Sequence, residues 1–69
     1  MTHRLIVRLK IHRQKAGLTQ AELAEEVGVS RKTINTVENG VFIPSTVLAL
    51  SLAARLNCSV HDLFTLPDK

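Results

Sequence analysis

Apolar residues along the chain recur at helical spacing in five short segments, each bounded by residues that start or stop helices. A glycine follows each of the first three segments, where a helix commonly ends in a left-handed residue. No segment of useful length alternates with period two, so the pattern predicts an all-α fold. The helices are predicted over about residues 8–16, 20–27, 31–39 and 46–56, with a short fifth helix that ends near Phe64.

The connection between the second and third predicted helices is very short. Thr19 and Glu22 form a capping box that opens the second helix, and Gly28 permits the tight turn that ends it. Ser30 then caps the third helix, so three or four residues join the two. Short helices joined this closely cross steeply, which is the geometry of a helix-turn-helix motif, here over about residues 20–39.

The length and composition describe one small folded domain, residues 1–69, with a thin core. Hydrophobic residues make up 45% of the chain, which excludes a disordered tail. Cys58 is the only cysteine, so an internal disulfide is excluded and a reducing, cytoplasmic setting is expected. The apolar run near the N-terminus is too short for a signal sequence or a membrane span, so no membrane partner is expected.

Positive charge is concentrated in the first half of the chain. The formal net charge is +3, and seven of the nine Lys and Arg residues lie among the first 32 residues. This distribution suits a basic face toward phosphate. The sequence lacks clustered carboxylates, a nucleophile–base pair, a phosphate loop and a set of metal ligands. An enzyme is therefore rejected, and no metal, cofactor or small-molecule ligand is expected.

The stretch TQAELAEEVGVSRKTINTVENG, residues 19–40, resembles the helix-turn-helix of phage repressor and Cro-type proteins, the XRE family of bacterial regulators. The later ENG…PS…LALSLAARLNCSVHDLF is similar to the remainder of that domain, so the resemblance covers about residues 9–64. It implies a compact five-helix, phage-repressor-like fold. Some small relatives also pair a strand before the first helix with one after the fifth, which implies a minor β-pairing of residues 5–7 with 64–66.

In this family the third helix lies in the major groove of DNA and its side chains read base edges. Arg or Lys donates to guanine, Asn pairs with adenine, and a Thr methyl group contacts thymine. The alternative is an ordinary solvated face, although this helix is poor in the usual surface helix formers. The residues at matching base-reading positions are Arg31, Lys32, Thr33, Asn35 and Thr36.

Contacts with DNA phosphates follow from the same resemblance. Gln20 heads the second helix, where the helix dipole and free amides favour an anion. Asn39 and the Gly40 amide match positions that grip the DNA backbone, and Lys10 adds longer-range attraction or is only solvated. Val41 departs from the family pattern, because relatives often have Lys there as a further phosphate contact.

Arg13 and Glu38 match a pair that forms a buried or half-buried salt bridge between the first and third helices of related repressors. Both residues fall at inward-facing positions of the predicted helices, which disfavours the alternative of two unrelated surface charges. The resemblance implies that this pair orients the recognition helix.

Three apolar residues follow the third helix. Phe42 is expected to pack on the core, whereas Val41 and Ile43 are expected to be exposed or to lie in a subunit contact. Within the second helix, the inward-facing residues are predicted to be Ala21, Ala24 and Val27.

The fourth helix carries two apolar stripes, more than one core can use. The inner stripe is Leu48, Ala49, Leu52, Ala53 and Leu56. The second stripe is Val47, Leu50 and Ala54. We expect it to form a two-fold subunit contact together with the fifth helix and Leu66, the alternative being that the N-terminal segment covers it within one chain. Two recognition helices related by a dyad read half-sites about 34 Å apart, and therefore a palindrome. The residues expected in the dimer interface are Val47, Leu50, Ala54 and Leu66.

The sequence thus predicts a sequence-specific transcriptional regulator that binds double-stranded DNA as a homodimer. Repression is favoured over activation, because the chain has no spare domain for an effector or for recruiting polymerase. A controller of a restriction-modification operon or an antitoxin would use the same domain. The alternative class is a protein-interaction module on this fold, such as an antitoxin or accessory subunit, with weak or no sequence-specific DNA binding.

Overall fold

Five helices and two short strands make up the computed structural model, which describes residues 5–67. All five helices were predicted from the sequence, and the observed boundaries agree with the predictions to within one or two residues. The elements in chain order are β1 (Ile6–Val7), α1 (Leu9–Lys15), α2 (Gln20–Val27), α3 (Arg31–Glu38), α4 (Thr46–Arg55), α5 (Val60–Leu63) and β2 (Phe64–Thr65).

The two strands join the ends of the domain. They pair antiparallel, with Ile6 opposite Thr65 and Val7 opposite Phe64. The pairing continues into α1, because the Arg8 amide donates to the carbonyl of Leu63 at 2.8 Å. The minor prediction of a terminal β-pairing is therefore confirmed. A two-residue pair is marginal alone, so its stability comes from the helices at its ends.

One hydrophobic core unites the helices. It receives residues from every helix and from β2, and the inner stripe of α4 points into it as predicted. The buried apolar residues are Leu9, Leu23, Ala24, Ile34, Val37, Leu48, Leu52, Ala53, Leu63 and Phe64. Ala24 is buried on α2, a helix that packs against both α3 and α4.

Two side chains expected in the core are exposed instead. Ala21 faces solvent, because the buried side of α2 is set by Leu23 and Ala24. Phe42 is 48% exposed. Its backbone amide, like that of Val41, donates to the Thr36 carbonyl, which holds the loop against the end of α3 rather than over the core.

The turn between α2 and α3 depends on Gly28, which adopts φ 79°. A Cβ added there meets no atom within 4 Å, so the cost of a side chain is conformational. We expect Gly28→Ala to lower the free energy of unfolding by about 1–2 kcal/mol, the cost of left-handed backbone for an L-residue. Urea denaturation measures this loss. Gly28→Asn is the matched control and should lose less, since Asn tolerates this conformation; equal losses would contradict the backbone argument.

Candidate nucleic-acid interface

The orientation of α3 is fixed by its cap and by its two buried residues. The Ser30 hydroxyl oxygen accepts from the Thr33 amide at 3.1 Å and so satisfies a free donor at the start of the helix. Ile34 and Val37 are fully buried. Because these two residues lie three positions apart on one side of the helix, the opposite side of α3 faces solvent.

The five expected base-reading residues lie outside the buried side of α3, but they differ in their exposure and in the hydrogen bonds that they already make. Arg31 and Lys32 are exposed, whereas Thr33, Asn35 and Thr36 are half-buried. The Thr33 hydroxyl lies 3.0 Å from that of Ser30. Thr36 donates its hydroxyl hydrogen back into the helix, to the carbonyls of Lys32 and Thr33 at 3.1 and 3.0 Å. Toward a base, Thr36 is left with its methyl group and its oxygen lone pairs.

The side chain of Asn35 accepts a hydrogen bond from the residue one helical turn later. The Nδ2 of Asn39 donates to the Oδ1 of Asn35 at 3.2 Å. This bond uses one lone pair of that oxygen and leaves the second, together with both hydrogens of the Asn35 amide nitrogen. Asn35 therefore keeps the acceptor and the donor that pairing with an adenine edge requires.

A buried ion pair ties α1 to the end of α3. The Nε of Arg13 donates to Oε2 of Glu38 at 2.6 Å, and Nη2 donates to Oε1 at 3.3 Å. The side chains are only 9% and 3% exposed respectively. Arg13 also donates from Nη1 to the Leu18 carbonyl at 2.9 Å. The two carboxylate bonds form the bidentate arrangement that gives such pairs a fixed geometry.

Gln20, the first residue of α2, extends this pair toward the surface. Its Nε2 donates to Oε1 of Glu38 at 2.9 Å. Its Oε1 accepts from Nη1 of Arg31 at 3.3 Å. Neither contact is visible in the sequence pattern, which pointed to Gln20 only as a residue near phosphate.

The residues expected to contact phosphate lie on separate elements. Lys10 is exposed on α1, and Asn39 and Gly40 are exposed at the end of α3. The Gly40 amide already donates to the Val37 carbonyl at 3.1 Å. A phosphate contact from this amide therefore requires that the bond be shared or exchanged. Gln20 is half-buried at the start of α2, where the first amides have no carbonyl one turn earlier in the helix.

A second set of exposed residues lies on α4 and just after β2. Val47 is 74% exposed, Leu50 56% and Leu66 69%, and Ala54 is also exposed. We refer to these four residues as the α4 surface. Within residues 5–67 the N-terminal segment does not cover it. An apolar groove of about 330 Å³ adjoins this surface. Its lining residues are Leu5, Ile43, Pro44, Ser45, Thr46, Ala49, Leu50, Val60 and Phe64.

Two titratable groups near α5 have shifted pKa values. Hydrogen bonds from the backbone and then the side chain of Ser59 lower the pKa of Asp62, because they stabilise its carboxylate. Burial, followed by the nearby charge of Asp62, raises the pKa of the Cys58 thiol. A thiol whose pKa is raised is a poor nucleophile, which agrees with Cys58 acting as a small packing residue before α5.

Every helix in residues 5–67 is too short or too polar to cross a membrane.

Comparison with known proteins defines the class. A family model described as "Helix-turn-helix", HTH_3, matches residues 9–63. A curated relative from Archaeoglobus fulgidus, described as an uncharacterized HTH-type transcriptional regulator, is 44% identical over 62 residues, which cover 90% of this chain and 89% of the relative. The chain belongs to the HTH_3 helix-turn-helix family, the Cro/C1-type (XRE) transcriptional regulators, whose members are DNA-binding proteins rather than enzymes.

Solved structures agree with this assignment. The P22 c2 repressor in complex with a synthetic operator superposes with a TM-score of 0.75 at 33% identity, covering 78% of this chain and 82% of that one. ClgR, the clp gene regulator of Corynebacterium glutamicum, superposes with a TM-score of 0.74 at 35% identity over 78% of this chain. The present chain spans 57% of ClgR. The expectation of a phage-repressor-like fold is confirmed.

Proposed function

We propose that this protein is a sequence-specific transcriptional repressor that binds a palindromic operator as a homodimer, with α3 in the major groove. The observation that carries the proposal is the set of charged and short polar side chains that α3 exposes. Its exposed charges are Arg31 and Lys32, while its only acid, Glu38, is buried in the ion pair with Arg13. The start of this helix therefore presents only positive charge and short polar groups, which suits an anionic groove.

Direct base reading is proposed for the outer side of α3. Arg31 or Lys32 would donate to guanine, and Asn35 would pair with adenine through the donor and acceptor that Asn39 leaves free. Thr36 would contact the thymine methyl group, because its hydroxyl hydrogen is bonded within the helix. Thr33 would contribute through its hydroxyl once the bond to Ser30 is exchanged.

Phosphate contacts would fix the register of α3 on the duplex. Lys10 is exposed on α1, and Asn39 and Gly40 are exposed at the end of α3. The N-terminus of α2 at Gln20 supplies backbone amides and a positive dipole end to a phosphate. The missing Lys at Val41 leaves this protein with one anchor fewer than many relatives.

Dimerisation is proposed through the α4 surface. The protomer exposes the large apolar side chains of Val47, Leu50 and Leu66 to solvent. The groove that adjoins the α4 surface is apolar as well. Large exposed apolar side chains together with an apolar groove are typical of an interaction site. A second copy would cover it and would give the two recognition helices the dyad that a palindromic operator requires. The P22 c2 relative, a repressor solved in complex with a synthetic operator, supports the choice of repression.

Selection from a pool of random duplexes at near-physiological salt, followed by sequencing of the bound fraction, tests the proposal. We expect enrichment of an inverted repeat, whose half-site spacing gives the separation of the two α3 helices. Weak, salt-sensitive retention of all sequences alike would overturn it, because that is the behaviour of a generic basic surface.

Substitution of base-reading residues should relax specificity without unfolding the protein. We expect Arg31→Ala and Asn35→Ala each to remove the preference at one base position, at about 1–3 kcal/mol. Lys10→Ala is the comparison, because loss of a phosphate contact weakens all sequences alike and lowers the salt slope by about one. Binding to a matrix of single-base operator variants measures both effects. Uniform losses for Arg31→Ala or Asn35→Ala would reassign that residue to phosphate.

A second candidate function is a protein-interaction module. It is favoured by the exposure of Val41, Phe42 and Ile43 immediately after α3, where a DNA-binding loop of this family often carries Lys. On this reading α3 and the loop would together contact a protein. The selection experiment separates the two, since only the regulator enriches a motif.

A further inference from the structure

The inference concerns the apolar groove beside the α4 surface and rests on the proposed function. We infer that the second copy of this chain also covers this groove, so that Ile43, in the loop after α3, lies in the dimer contact. Ile43 is 65% exposed and lines the groove together with Leu50 of the α4 surface. The α4 surface and this part of the loop therefore belong to one apolar region.

The α4 surface alone is too small for a stable dimer. A fully exposed Val or Leu side chain carries roughly 60–120 Å² of apolar area, and the three large side chains of this surface are 56–74% exposed. Together they offer roughly 120–240 Å². A standard interface buries about 800 Å² on each partner, of which about 65% is apolar in homodimers. The contact therefore has to extend beyond these residues.

The distribution of charge indicates the direction of this extension. Beyond Ala54 the next residue of α4 is Arg55, which forms an ion pair with Glu26. Covering that pair would remove two charges from water, at a cost that their attraction recovers only in an excellent geometry. The groove lies beside the first half of α4, and none of its lining residues is charged. A partner can therefore cover the groove, including Ile43 and Pro44, without desolvating a charge.

A second copy of this chain is the partner that suits this region. In a two-fold contact the same surface of both protomers meets itself, so an uncharged apolar region meets another one. The residues of α4 from Thr46 to Ala54 include no charged side chain. No like charges of this part of α4 are therefore brought together across the dyad, and each apolar side chain contributes to the contact twice.

The loop connects this contact to α3. The backbone amides of Val41 and Phe42 both donate to the Thr36 carbonyl, at 2.9 and 3.2 Å. Ile43 follows directly in the chain. A second copy that packs on Ile43 therefore contacts the same loop that is hydrogen-bonded to the end of α3, so dimerisation and the placement of α3 share this loop.

Ile43→Ser tests the inference, because it removes an apolar side chain without adding a charge. Position 43 is exposed in the protomer, so the fold should be retained. A two-fold contact contains the residue twice, and loss of its exposed area should raise the dimer dissociation constant by about 30- to 700-fold. Val41→Ser is the matched control: Val41 is 77% exposed in the same loop but does not line the groove, and this variant should keep the dissociation constant. Sedimentation equilibrium measures both values.

A second control tests the direction of the extension. Arg55→Ala removes the charge beyond the other end of the α4 surface and should leave the dimer dissociation constant unchanged. Urea denaturation, at a chain concentration too low for dimers to form, compares the monomer stability of Ile43→Ser with that of the unsubstituted protein, and the two should agree. Ile43→Ser should also keep the affinity for an isolated half-site and lose the gain in affinity from a second half-site.

Four results would overturn the inference. An unchanged dissociation constant for Ile43→Ser, while Leu50→Lys abolishes the dimer, would confine the contact to the α4 surface and leave the proposed function standing. An equal rise for Val41→Ser or Arg55→Ala would place the contact on the outer loop or over the ion pair. A loss of monomer stability in Ile43→Ser with an unchanged dimer would show that the chain itself fills the groove. An unsubstituted protein that stays monomeric both alone and on an inverted repeat would overturn the inference together with the proposed homodimer.

Discussion

Replacing Glu38 by alanine is expected to lower the free energy of unfolding by about 3–5 kcal/mol. The substitution leaves the guanidinium of Arg13 without its carboxylate in a site that is only 8% exposed. It also removes the acceptor of the Gln20 amide. Small domains are stable by about 5–15 kcal/mol in total, so a loss of this size populates the unfolded chain measurably. Urea denaturation followed by circular dichroism, at neutral pH, gives the difference.

The chain offers an internal control for this prediction. Glu26 forms an ion pair with Arg55, but both side chains are about 40% exposed. Glu26→Ala should therefore cost less than about 1 kcal/mol, as is usual for a surface pair. A similar small cost for Glu38→Ala would show that the buried pair contributes no more than a surface one.

A second variant separates the loss of the pair from the burial of an unpaired charge. Arg13→Met combined with Glu38→Leu replaces both ions by apolar side chains, and buried pairs replaced in this way often cost little. We expect the double variant to recover most of the stability lost in Glu38→Ala. Its affinity for the operator should remain lower than that of the unsubstituted protein, since the hydrogen bonds that tie the end of α3 to Arg13 and Gln20 are then lost.

The helix boundaries could be predicted because their causes are local. The capping box at Thr19 and the left-handed Gly28 act within one turn of the backbone they terminate, so the residue types alone indicate where α2 begins and ends. The core residues could be predicted from the spacing of apolar residues, as the buried Ile34 and Val37 of α3 illustrate.

Two residues show the limits of that method. Ala21 on α2 and Phe42 on the loop after α3 were expected inside, but both are exposed. The burial of Leu23 and Ala24 sets the inner side of α2 and leaves Ala21 in water.

The link from Glu38 to Arg31 could not be predicted, because it joins residues that are distant in sequence. Gln20 and Glu38 are 18 positions apart, and Arg13 and Glu38 are 25 positions apart. Periodicity places such residues on the correct side of a helix but does not give the crossing of α1, α2 and α3 that brings their polar atoms together. The resemblance to phage repressors supplied one of these contacts, the ion pair, and left the orientation of the Gln20 amide undetermined.

Introducing a lysine at the centre of the α4 surface is expected to abolish dimerisation at working concentrations. Leu50 is more than half exposed in the protomer, so Leu50→Lys should leave the fold unchanged. In a two-fold contact, however, each lysine would be buried near its symmetry mate. An uncompensated buried charge costs about 3–5 kcal/mol, which corresponds to a rise of about 150- to 4,000-fold in the dimer dissociation constant. Sedimentation equilibrium measures that constant.

The choice of lysine makes the effect on DNA binding interpretable. The added positive charge raises the attraction of a monomer for DNA phosphates. A loss of operator affinity in Leu50→Lys therefore cannot be attributed to the change in net charge. Gln14→Lys adds the same charge at an exposed position of α1 and should keep the dimer and the operator affinity. We expect Leu50→Lys to bind an isolated half-site as well as the unsubstituted protein does, and to lose the gain in affinity from the second half-site. An unchanged dimer would place the subunit contact outside the α4 surface, whereas loss of half-site binding would show that Leu50 supports α3 itself.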